Sequence, residues 1–551
     1  MKNLRTLFIA FLVVFTAIIF KLFVIQVIGS QYSVDYTTVR KILPDRGKIL
    51  DRNYEPLAVN QTKYLLFVEP KKVKDRNDLI DKLDEILQIG EATLEARINP
   101  SKVWVSVKGN LDKSVKQKIE ALKIEGVGFD EEKHRFYPEA SLAAHLVGFL
   151  GKDKEGESIG YFGVEGYYEQ DLAGLPGVLK SERDIQNRPI FSGSQQRLEA
   201  EDGRDFILTI DKAVQHMVKE KLKAGVERFK AKSGCVISVN PKTLEIIALV
   251  CLPDFDPESY YGFDSGSFKN WTISSVYEPG STFKPLVMAA AIEEGAIKPD
   301  GFFDEDGPVT RGGYTIRNWN DKYEGKISMT HILEKSSNIG MVYVGDKLGK
   351  EKLSGYVDKY GFGDYTNIDL QGEIPGQVKP LDTWYPIDAA TTSFGQGISV
   401  TGLQLVRAFA SLINGGYLMR PYIVRGVIEN GETRIREPQV QRRVISERTS
   451  QIIKKMLVST VGHAEAKWDI PEGFTFGGKT GTAQIALEGS YDASKTIASF
   501  IGFAPAEDPK FLTLVVIQEP ESSSWGSETA APLFFDIAKE MLVYYNVQPS
   551  R

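Results

Sequence analysis

The first strong feature of the chain is an almost unbroken apolar run near its N-terminus. Residues 7–28 read LFIAFLVVFTAIIFKLFVIQVI, and only Thr16, Lys21 and Gln26 interrupt the apolar side chains. As a helix that rises ~1.5 Å per residue, this run is about 33 Å long, which is enough to cross the hydrocarbon core of a bilayer. The pattern therefore predicts a transmembrane anchor that contacts the lipid bilayer through residues 7–28.

A cleaved signal peptide is the alternative for this run. The apolar segment is longer than the usual hydrophobic region of a signal peptide, and no clean small-x-small cleavage site follows at residues 28–30. Lys2 and Arg5 on the short N-terminal side favour a cytoplasmic N-terminus. We therefore expect a single-pass protein of the inner or plasma membrane, with residues 1–6 in the cytoplasm and the domains after the span outside it.

Beyond the anchor, the pattern of hydrophobic and polar residues changes every few residues in the segment 29–204. Residues 151–203 are rich in glycine, charge and turns, and we interpret them as an extended connector without a core of its own. No motif in residues 29–204 carries recognisable chemistry, so a pedestal or interaction module is the expectation. Short strands are predicted at residues 64–68 and 103–107, and short helices at residues 77–87 and 113–122.

From residue 205 onward the predicted elements are longer and more apolar. Strands at both ends of this region, with helices between them, predict an α+β domain whose single sheet has helices on both faces. We place this domain at residues 205–546 and a C-terminal tail at 547–551. Strands are predicted at residues 206–210, 235–239, 245–250, 499–504 and 511–517, and helices at 212–228 and 533–542.

Composition excludes several classes of function. The chain has 551 residues, of which 42% are hydrophobic and 25% charged, as in ordinary globular proteins. A formal net charge of −6 gives no electrostatic reason to expect nucleic acid as a partner. Five scattered His and no His-Glu-x-x-His motif argue against a zinc hydrolase, so we expect no metal.

Of the two cysteines, Cys235 begins one of the two strands predicted around the turn at residues 241–243, and Cys251 directly follows the other. Pairing of those strands would bring the thiols close together, so a disulfide is one interpretation. Two free thiols on strand residues are the interpretation that we prefer from the sequence.

Three short motifs carry the candidate chemistry. Ser281-x-x-Lys284 lies where a Pro-Gly-Ser-Thr sequence starts a helix, so the two side chains share one face beside the helix N-terminus. A serine hydroxyl needs a base within hydrogen-bond reach, and a lysine amine serves only if burial or another cation lowers its pKa. Ser336-x-Asn338 can present a hydroxyl and an amide to one cleft. Each motif alone also fits helix capping or an ordinary surface position.

The third motif, Lys479-Thr480-Gly481, continues to Thr482 and supplies a second cation together with hydroxyl groups. Residues 473–480 also satisfy G-x-x-x-x-G-K-T, the phosphate loop of nucleotide enzymes. That loop needs a buried strand before it and a helix that begins at the lysine. Neither flank fits here, so the sequence argues against a nucleotide site.

Order and spacing make the three motifs specific. Ser-x-Asn follows Ser-x-x-Lys by 55 residues and Lys-Thr-Gly follows after 143 more, in the order found in penicillin-recognising serine enzymes. The chain resembles the class B penicillin-binding proteins over nearly its whole length, most closely their division-specific (FtsI-type) branch. The resemblance rests on Arg46-Gly47-x-Ile49-x-Asp51-Arg52-Asn53, Gly163-x-Glu165-Gly166-x-Tyr168-Glu169, Leu208-Thr209-Ile210-Asp211, Tyr277-Glu278-Pro279-Gly280-Ser281-Thr282-Phe283-Lys284, Ser393-Phe-Gly-Gln-Gly-Ile-Ser-Val-Thr401 and Ser499-Phe-Ile-Gly-Phe-Ala-Pro505.

The resemblance implies an α+β transpeptidase domain, with an antiparallel sheet flanked by helices, on an extended N-terminal pedestal or dimerisation domain. It implies a peptidoglycan D,D-transpeptidase that cross-links stem peptides in septal cell-wall synthesis and is inhibited by β-lactams. It further implies, as partners, stem peptides ending in D-Ala-D-Ala, β-lactams, a membrane glycosyltransferase and other division proteins. No cofactor is expected.

The resemblance also implies residue roles. Ser281 attacks the carbonyl between the terminal D-Ala residues, Lys284 takes its proton, and Ser336 relays a proton to the leaving amine. Asn338 holds Lys284 and the substrate amide.

Recognition of the terminal carboxylate falls by resemblance to Lys479, Thr480, Gly481 and Thr482. The backbone N–H groups of Ser281 and Thr482 would form an oxyanion hole.

Two segments depart from related sequences. Ser337 replaces the Asp often found in the middle of this motif in serine β-lactamases, and its side chain is not the one that the chemistry needs. The C-terminal segment 525–532 carries Glu528 at a position where that residue is unusual.

Several alternatives stay open from the sequence. They are an elongation-type transpeptidase, a D,D-carboxypeptidase or β-lactamase that uses the same site with water as acceptor, and an inactive scaffold or β-lactam sensor.

Overall fold

A computed structural model of the chain describes residues 2–28, 37–182, 195–487 and 490–549. These fall into two compact units, one formed by Met1–Asp45 with Gly174–Gly203 and the other by Arg46–Ala173 with Arg204–Arg551. Part of the predicted connector, residues 183–194, and the end of the predicted tail, residues 550–551, lie outside the described residues.

The smaller unit contains the predicted anchor and a short sheet. The anchor is an α-helix, Lys2–Phe23, that continues as a π-helical turn, Val24–Ile28. Within it, Leu4–Val27 has a mean hydropathy of 2.8 and none of it is buried, so it is long and apolar enough to cross a membrane. The sheet has three antiparallel strands, Thr37–Ile42, Gly177–Glu182 and Gln195–Leu198, in that order.

The part of the larger unit before residue 174, which we call the pedestal, is built around one long strand, Pro56–Val68. It pairs antiparallel with three further strands, and short helices cover its inner side chains, so that Leu66 of the strand and Leu83 of a covering helix are fully buried. The pedestal strands are Ile49–Leu50, Pro56–Val68, Val105–Leu111, Val127–Phe136, Phe149–Lys152 and Ser158–Tyr161, and its α-helices are Arg76–Leu87, Glu91–Arg97, Lys113–Glu120, Ala144–Val147, Gly163–Tyr167 and Glu169–Ala173.

The interpretation of residues 151–203 as a coreless connector is wrong for residues 151–173. These residues form a hairpin strand and two short helices, and Val164 and Leu172 are fully buried in the same core as Phe206. The reason is a buried ion cluster. The completely buried Glu165 accepts hydrogen bonds from Arg46 and Arg135, and a buried charge needs such partners.

One sheet continues from the pedestal into the following domain. The strand Asp205–Leu208 pairs in parallel with Ile49–Leu50 and antiparallel with Val424–Glu429. Because backbone hydrogen bonds join the two regions, the pedestal and the domain after residue 204 share both a sheet and a core.

A second sheet of five strands, which we call the central sheet, organises the domain after residue 204. Its order is Ile246–Leu252, Ser233–Val239, Phe511–Gln518, Ser490–Ala504 and Gly477–Leu487, and every pairing is antiparallel. The main helices around it are Lys212–Phe229, Lys284–Glu293, Met329–Glu334, Asn338–Leu348, Lys350–Lys359, Pro386–Thr392, Gly402–Ile413, Glu447–Gly462 and Ala530–Tyr544. Smaller two-stranded antiparallel sheets are formed by Phe302–Glu305 with Gly325–Ser328, Val309–Arg311 with Tyr314–Ile316, and Tyr417–Met419 with Val440–Arg443, and Glu432–Ile435 extends the shared sheet.

Helices bury both faces of the central sheet. Along Phe511–Gln518, Leu514 and Val516 point into one core, whereas Val515 and Ile517 point into the other, which holds the helix Ala530–Tyr544. A strand buried on both faces has no polar alternation, which explains its continuous apolar sequence. The predicted α+β domain with one sheet between helices is confirmed.

The preference for free thiols is wrong. Cys235 and Cys251 are directly opposite each other in adjacent strands, with Cα atoms 4.1 Å apart, and their sulfur atoms are bonded as a disulfide. The register of the hairpin, which the sequence leaves open, decides this outcome.

Most predicted elements are confirmed, with changed ends. The predicted strand 103–107 is displaced to Val105–Leu111, and the strand predicted at 499–504 is the end of the much longer Ser490–Ala504. The helix predicted at 77–87 is Arg76–Leu87, which starts where Asp75 accepts hydrogen bonds from two backbone N–H groups.

Candidate active site

Ser281 lies on a tight turn at the entrance to a buried helix. The turn is a 3₁₀ segment, Gly280–Phe283, which we call the Ser281 turn, and the α-helix Lys284–Glu293 follows directly. Gly280 has a φ of +54°, which favours glycine, and its N–H donates to the carbonyl oxygen of Gly395 at 2.9 Å. The half-buried Ser281 side chain thereby reaches the wall of a cleft.

Lys284, one turn further on, is completely buried beneath this cleft. Its Nζ donates to Ser336 O at 2.6 Å and to Asn338 Oδ1 at 2.8 Å, and it lies 3.2 Å from Ser336 Oγ. The first two motifs of the sequence therefore meet at one amine. The Ser281 hydroxyl makes no hydrogen bond to any of the described residues, so it is available to a reacting group.

A strained backbone position presents Ser336 to Lys284. Ser336 has a φ of +53°, which is uncommon for a residue with a side chain, and it directly precedes the N-cap of the helix Asn338–Leu348. The N-cap is Ser337, whose Oγ accepts a hydrogen bond from Gly340 N at 2.8 Å. The Ser337 side chain is buried and bonds to Glu305, away from Lys284.

Lys479 enters the same cleft from the opposite wall. It lies within the strand Gly477–Leu487, which is at one end of the central sheet and which we call the edge strand. Its side chain is only 1% exposed, and Nζ lies 3.2 Å from Thr480 O and 3.3 Å from Thr480 Oγ1. Lys479 thus lies within a strand, whereas the lysine of a phosphate loop lies at the start of a helix.

Glycine allows the edge strand to approach the Ser281 turn. A Cβ added to Gly481 would lie 2.8 Å from Thr282 Cγ2 and 3.1 Å from Pro279 O. Gly526 in turn packs against the backbone of Gly481, and its N–H donates to Thr482 Oγ1 at 3.1 Å. The C-terminal segment 525–532 thus buttresses the edge strand, a role that the sequence alone did not reveal.

The pKa values of the two lysines at the cleft are shifted far from their usual values. Burial lowers the pKa of Lys284 well below its usual value, the charge of Lys479 lowers it further, and the carboxylate of Glu305 opposes both effects. Burial also lowers the pKa of Lys479, to about 7. Burial and the charge of Lys479 both shift Lys284 toward the neutral form, which is the form that a general base needs.

The cleft has a volume of about 340 Å³ and an aromatic and acidic rim. The rings of Trp319 and Trp525 meet edge to face, with their centroids 5.1 Å apart, and Glu334, Glu465 and Glu528 line the cleft nearby. Among the described residues, no group of three or more His, Cys, Asp and Glu side chains could hold a metal ion.

The structure brings all the sequence-predicted site residues to this region. Ser281, Ser336 and residues 479–482 line the cleft, while Lys284 and Asn338 meet behind it. The sequence did not indicate Glu305 or Trp319, because neither lies in or beside a recognisable motif. The only signal for Trp319 in the sequence was its residue type, since the chain has just six tryptophans.

The arrangement is suited to one kind of chemistry. A hydroxyl on a helix-entry turn can attack a carbonyl when an amine of lowered pKa lies behind it, and a second amine on a strand edge can hold a carboxylate near that carbonyl. Acyl transfer through a serine ester is the reaction that these groups can carry out.

Two family models match the chain. A model of the penicillin binding protein transpeptidase domain matches residues 234–539, and one of the penicillin-binding protein dimerisation domain matches residues 41–208. The first covers the central sheet and the cleft, and the second covers the pedestal.

Known proteins resemble the chain over most of its length. It is 36% identical to the Stage V sporulation protein D of Bacillus subtilis, covering 92% of this chain and 79% of that protein. It is 31% identical to the peptidoglycan D,D-transpeptidase FtsI of Escherichia coli, covering 93% of this chain and 85% of that protein. The crystal structure of penicillin binding protein 2X from Streptococcus thermophilus matches with a TM-score of 0.79 at 25% identity, covering 92% and 80% of the two chains.

The buried amine of Lys479 makes stability depend on pH. Its pKa is about 7 in the folded chain and near 10.5 when the chain is unfolded, so the folded state loses stability as the pH falls from about 10.5 to 7. We expect Lys479→Met to be more stable than the wild type at pH 7, with an advantage that shrinks at pH 9.5. Urea unfolding of both proteins at the two pH values measures the difference.

The control for this prediction is Lys455→Met, which alters an exposed lysine on the helix Glu447–Gly462. We expect it to follow the wild-type pH dependence. An advantage of Lys479→Met that stays constant between pH 7 and 9.5 would contradict the assignment of a depressed pKa to this amine.

Proposed function

This chain belongs to the penicillin-binding protein transpeptidase family and is a peptidoglycan D,D-transpeptidase, and we propose that it works through an acyl-enzyme on Ser281 in septal cell-wall synthesis. The observation that carries the mechanism is the contact of Lys284 Nζ with Ser336 and Asn338, behind the turn that bears Ser281. We assign residues 29–204 to the pedestal or dimerisation domain, 205–546 to the transpeptidase domain and 547–551 to the tail.

Acylation begins with the neutral amine of Lys284. Ser281 Oγ attacks the carbonyl carbon between the two terminal D-Ala residues of a stem peptide, and its proton passes to Lys284 Nζ. The Ser336 hydroxyl can accept from Nζ or donate to it, so it relays this proton to the nitrogen of the leaving D-Ala. Asn338 Oδ1 keeps the amine in place throughout.

In this mechanism the oxyanion of the tetrahedral intermediate lies between two backbone N–H groups, those of Ser281 and Thr482. Two facts support Thr482. Its carbonyl oxygen would lie 3.0 Å from a Cβ on Gly280, and in an antiparallel strand the N–H and C=O of one residue point to the same side. One such donor typically contributes ~3 kcal/mol to the transition state.

Lys479 recognises the terminal carboxylate of the substrate, together with Thr480, Gly481 and Thr482. A carboxylate next to Lys479 favours its ammonium form, and that charge in turn keeps Lys284 neutral. Binding of the correct substrate therefore prepares the base. The acyl group then passes from Ser281 to an amine of a neighbouring stem peptide, and the serine hydroxyl is restored.

The chain spans the membrane once, in our proposal, with residues 1–6 in the cytoplasm. Lys2 and Arg5 support this orientation, since basic residues favour the cytoplasmic side. The disulfide between Cys235 and Cys251 also supports it, because disulfides persist in oxidising compartments. The active site then faces the cell wall, where a membrane glycosyltransferase and other division proteins supply and receive glycan strands.

Ser281 is expected to be the residue that β-lactams acylate. In the wild type, mass spectrometry after incubation with benzylpenicillin should find the penicilloyl mass on the peptide that contains Ser281. Ser281→Ala should lose the label completely. Ser274→Ala, which changes a serine on the preceding short helix, should keep it, and a label at any other residue would overturn the mechanism.

Transpeptidation is distinguished from hydrolysis by its products. With a donor ending in D-Ala-D-Ala and an acceptor strand that carries a free amine, we expect cross-linked dimer to form along with released D-Ala. Chromatography with mass detection separates dimer from tetrapeptide. Only tetrapeptide would favour the carboxypeptidase alternative, and β-lactam hydrolysis at a comparable rate would favour the β-lactamase alternative.

A septal role predicts a division phenotype. Depletion of the protein in its own host should give filaments that elongate without septa, and Ser281→Ala should not rescue them. Rescue by Ser281→Ala would favour the scaffold alternative. Round or swollen cells that continue to divide would favour an elongation-type enzyme, and normal growth with defective spores would place the protein in sporulation.

A further inference from the structure

A buried carboxylate lies behind the site, outside all three motifs. Glu305 ends the strand Phe302–Glu305 and is only 2% exposed. One of its oxygens accepts a hydrogen bond from Glu324 N at 3.2 Å, and the other accepts a short hydrogen bond from Ser337 Oγ. A carboxylate is rarely buried without hydrogen-bond partners such as these.

The hairpin segment 302–328 that carries Glu305 holds the Ser336–Asn338 motif at a second point. Asn318, which is 8% exposed, accepts hydrogen bonds at Oδ1 from Asn338 N at 2.9 Å and from Ile339 N at 3.2 Å. The side-chain amide of Asn338 donates to Arg317 O at 2.9 Å. The first turn of the helix Asn338–Leu348 is therefore fastened to this segment through both its backbone and its side chains.

Glu305 also acts on the base electrostatically. Lys284 experiences two charged neighbours, Lys479 from the edge strand and Glu305 from the hairpin segment, and their effects are opposite in sign. The charged groups of the outer cleft wall are Glu334, Lys335, Glu465 and Glu528.

We propose that Glu305 is a positioning residue of this enzyme, one that holds Ser337 so that Ser336 and Asn338 face Lys284, and that supplies the negative charge opposing Lys479. The inference rests on the proposed acyl-enzyme function and adds to it a residue that never touches substrate. It also explains the role of Ser337, whose hydroxyl bonds to Glu305 and not to the reacting groups.

Glu305 has two separable effects, one geometric and one of charge. The hydrogen bond to Ser337 sets where Ser336 and Asn338 stand, so its loss slows acylation at every pH. The charge stabilises the ammonium form of Lys284, so its loss lets the amine become neutral at lower pH. A purely structural residue would lower thermal stability without the second effect.

The test measures the second-order rate of acylation by a fluorescent penicillin between pH 5 and 9, using the full-length protein in detergent. Glu305→Gln keeps the size of the side chain and an oxygen for Ser337 but removes the charge. The acid limb of the profile is the pH range in which the acylation rate rises as Lys284 loses its proton. We expect this limb to shift to lower pH by about one unit. Ser337→Ala should lower the plateau ~10-fold without moving that limb, and Ser337→Thr should restore the plateau.

The chain offers a matched control for both substitutions. Ser446 caps the helix Glu447–Gly462, and its Oγ donates to Glu293 Oε2 at 2.7 Å, which repeats the Ser337–Glu305 arrangement away from the cleft. Glu293→Gln and Ser446→Ala should lower the melting temperature while leaving both the plateau and the acid limb at wild-type values.

The inference is overturned if Glu305→Gln folds and its acid limb coincides with that of the wild type, or if Glu293→Gln moves the limb equally. Should Glu305→Gln fail to fold, the Ser337 variants decide, and acylation of Ser337→Ala at the wild-type rate overturns the inference. A wild-type protein that is not acylated at Ser281 at all would instead overturn the proposed function.

Discussion

The burial of two lysine amines in one cleft is the constraint on which the rest of the site depends. Lys284 and Lys479 are both almost completely excluded from water, and two ammonium ions cannot be held so closely in such surroundings without a large cost. The pKa values of both amines are lowered as a result, which favours the neutral form of Lys284. The same arrangement that destabilises the folded chain creates a base beside a serine, which is a common relation between stability and activity.

Close backbone packing holds the edge strand, whose residues 479–482 line the cleft, against the Ser281 turn. The edge strand approaches the Ser281 turn closely only because Gly481 has no Cβ, and Gly526 supports it from behind for the same reason. A strand at the end of a sheet has one row of backbone groups that no neighbouring strand uses. At this site those groups face Ser281, while at the opposite end of the central sheet the disulfide Cys235–Cys251 ties the last two strands together.

Support for the site comes from regions that the motifs do not mark. The hairpin segment 302–328 holds the Ser336–Asn338 motif through Glu305 and Asn318. The pedestal shares a sheet and a core with the transpeptidase domain, and within it the buried Glu165 binds Arg46 and Arg135, which are far apart in sequence. The sequence pattern did not predict either support, because each depends on contacts between residues that are far apart along the chain.

The sequence by itself determined the local features of this protein. Apolar runs and helix-start signals set the membrane helix, most elements of the central sheet and the order of the three motifs, because such features depend on neighbouring residues alone. The tertiary structure decided which distant groups meet. Hairpin register joined the two cysteines, the packing of residues 163–173 turned an expected connector into part of the core, and the fold brought Glu305 and Lys479 near enough to Lys284 for their charges to act on it in opposite directions. Burial and long-range contact set the charge state of that amine, and neither can be read from a run of adjacent residues.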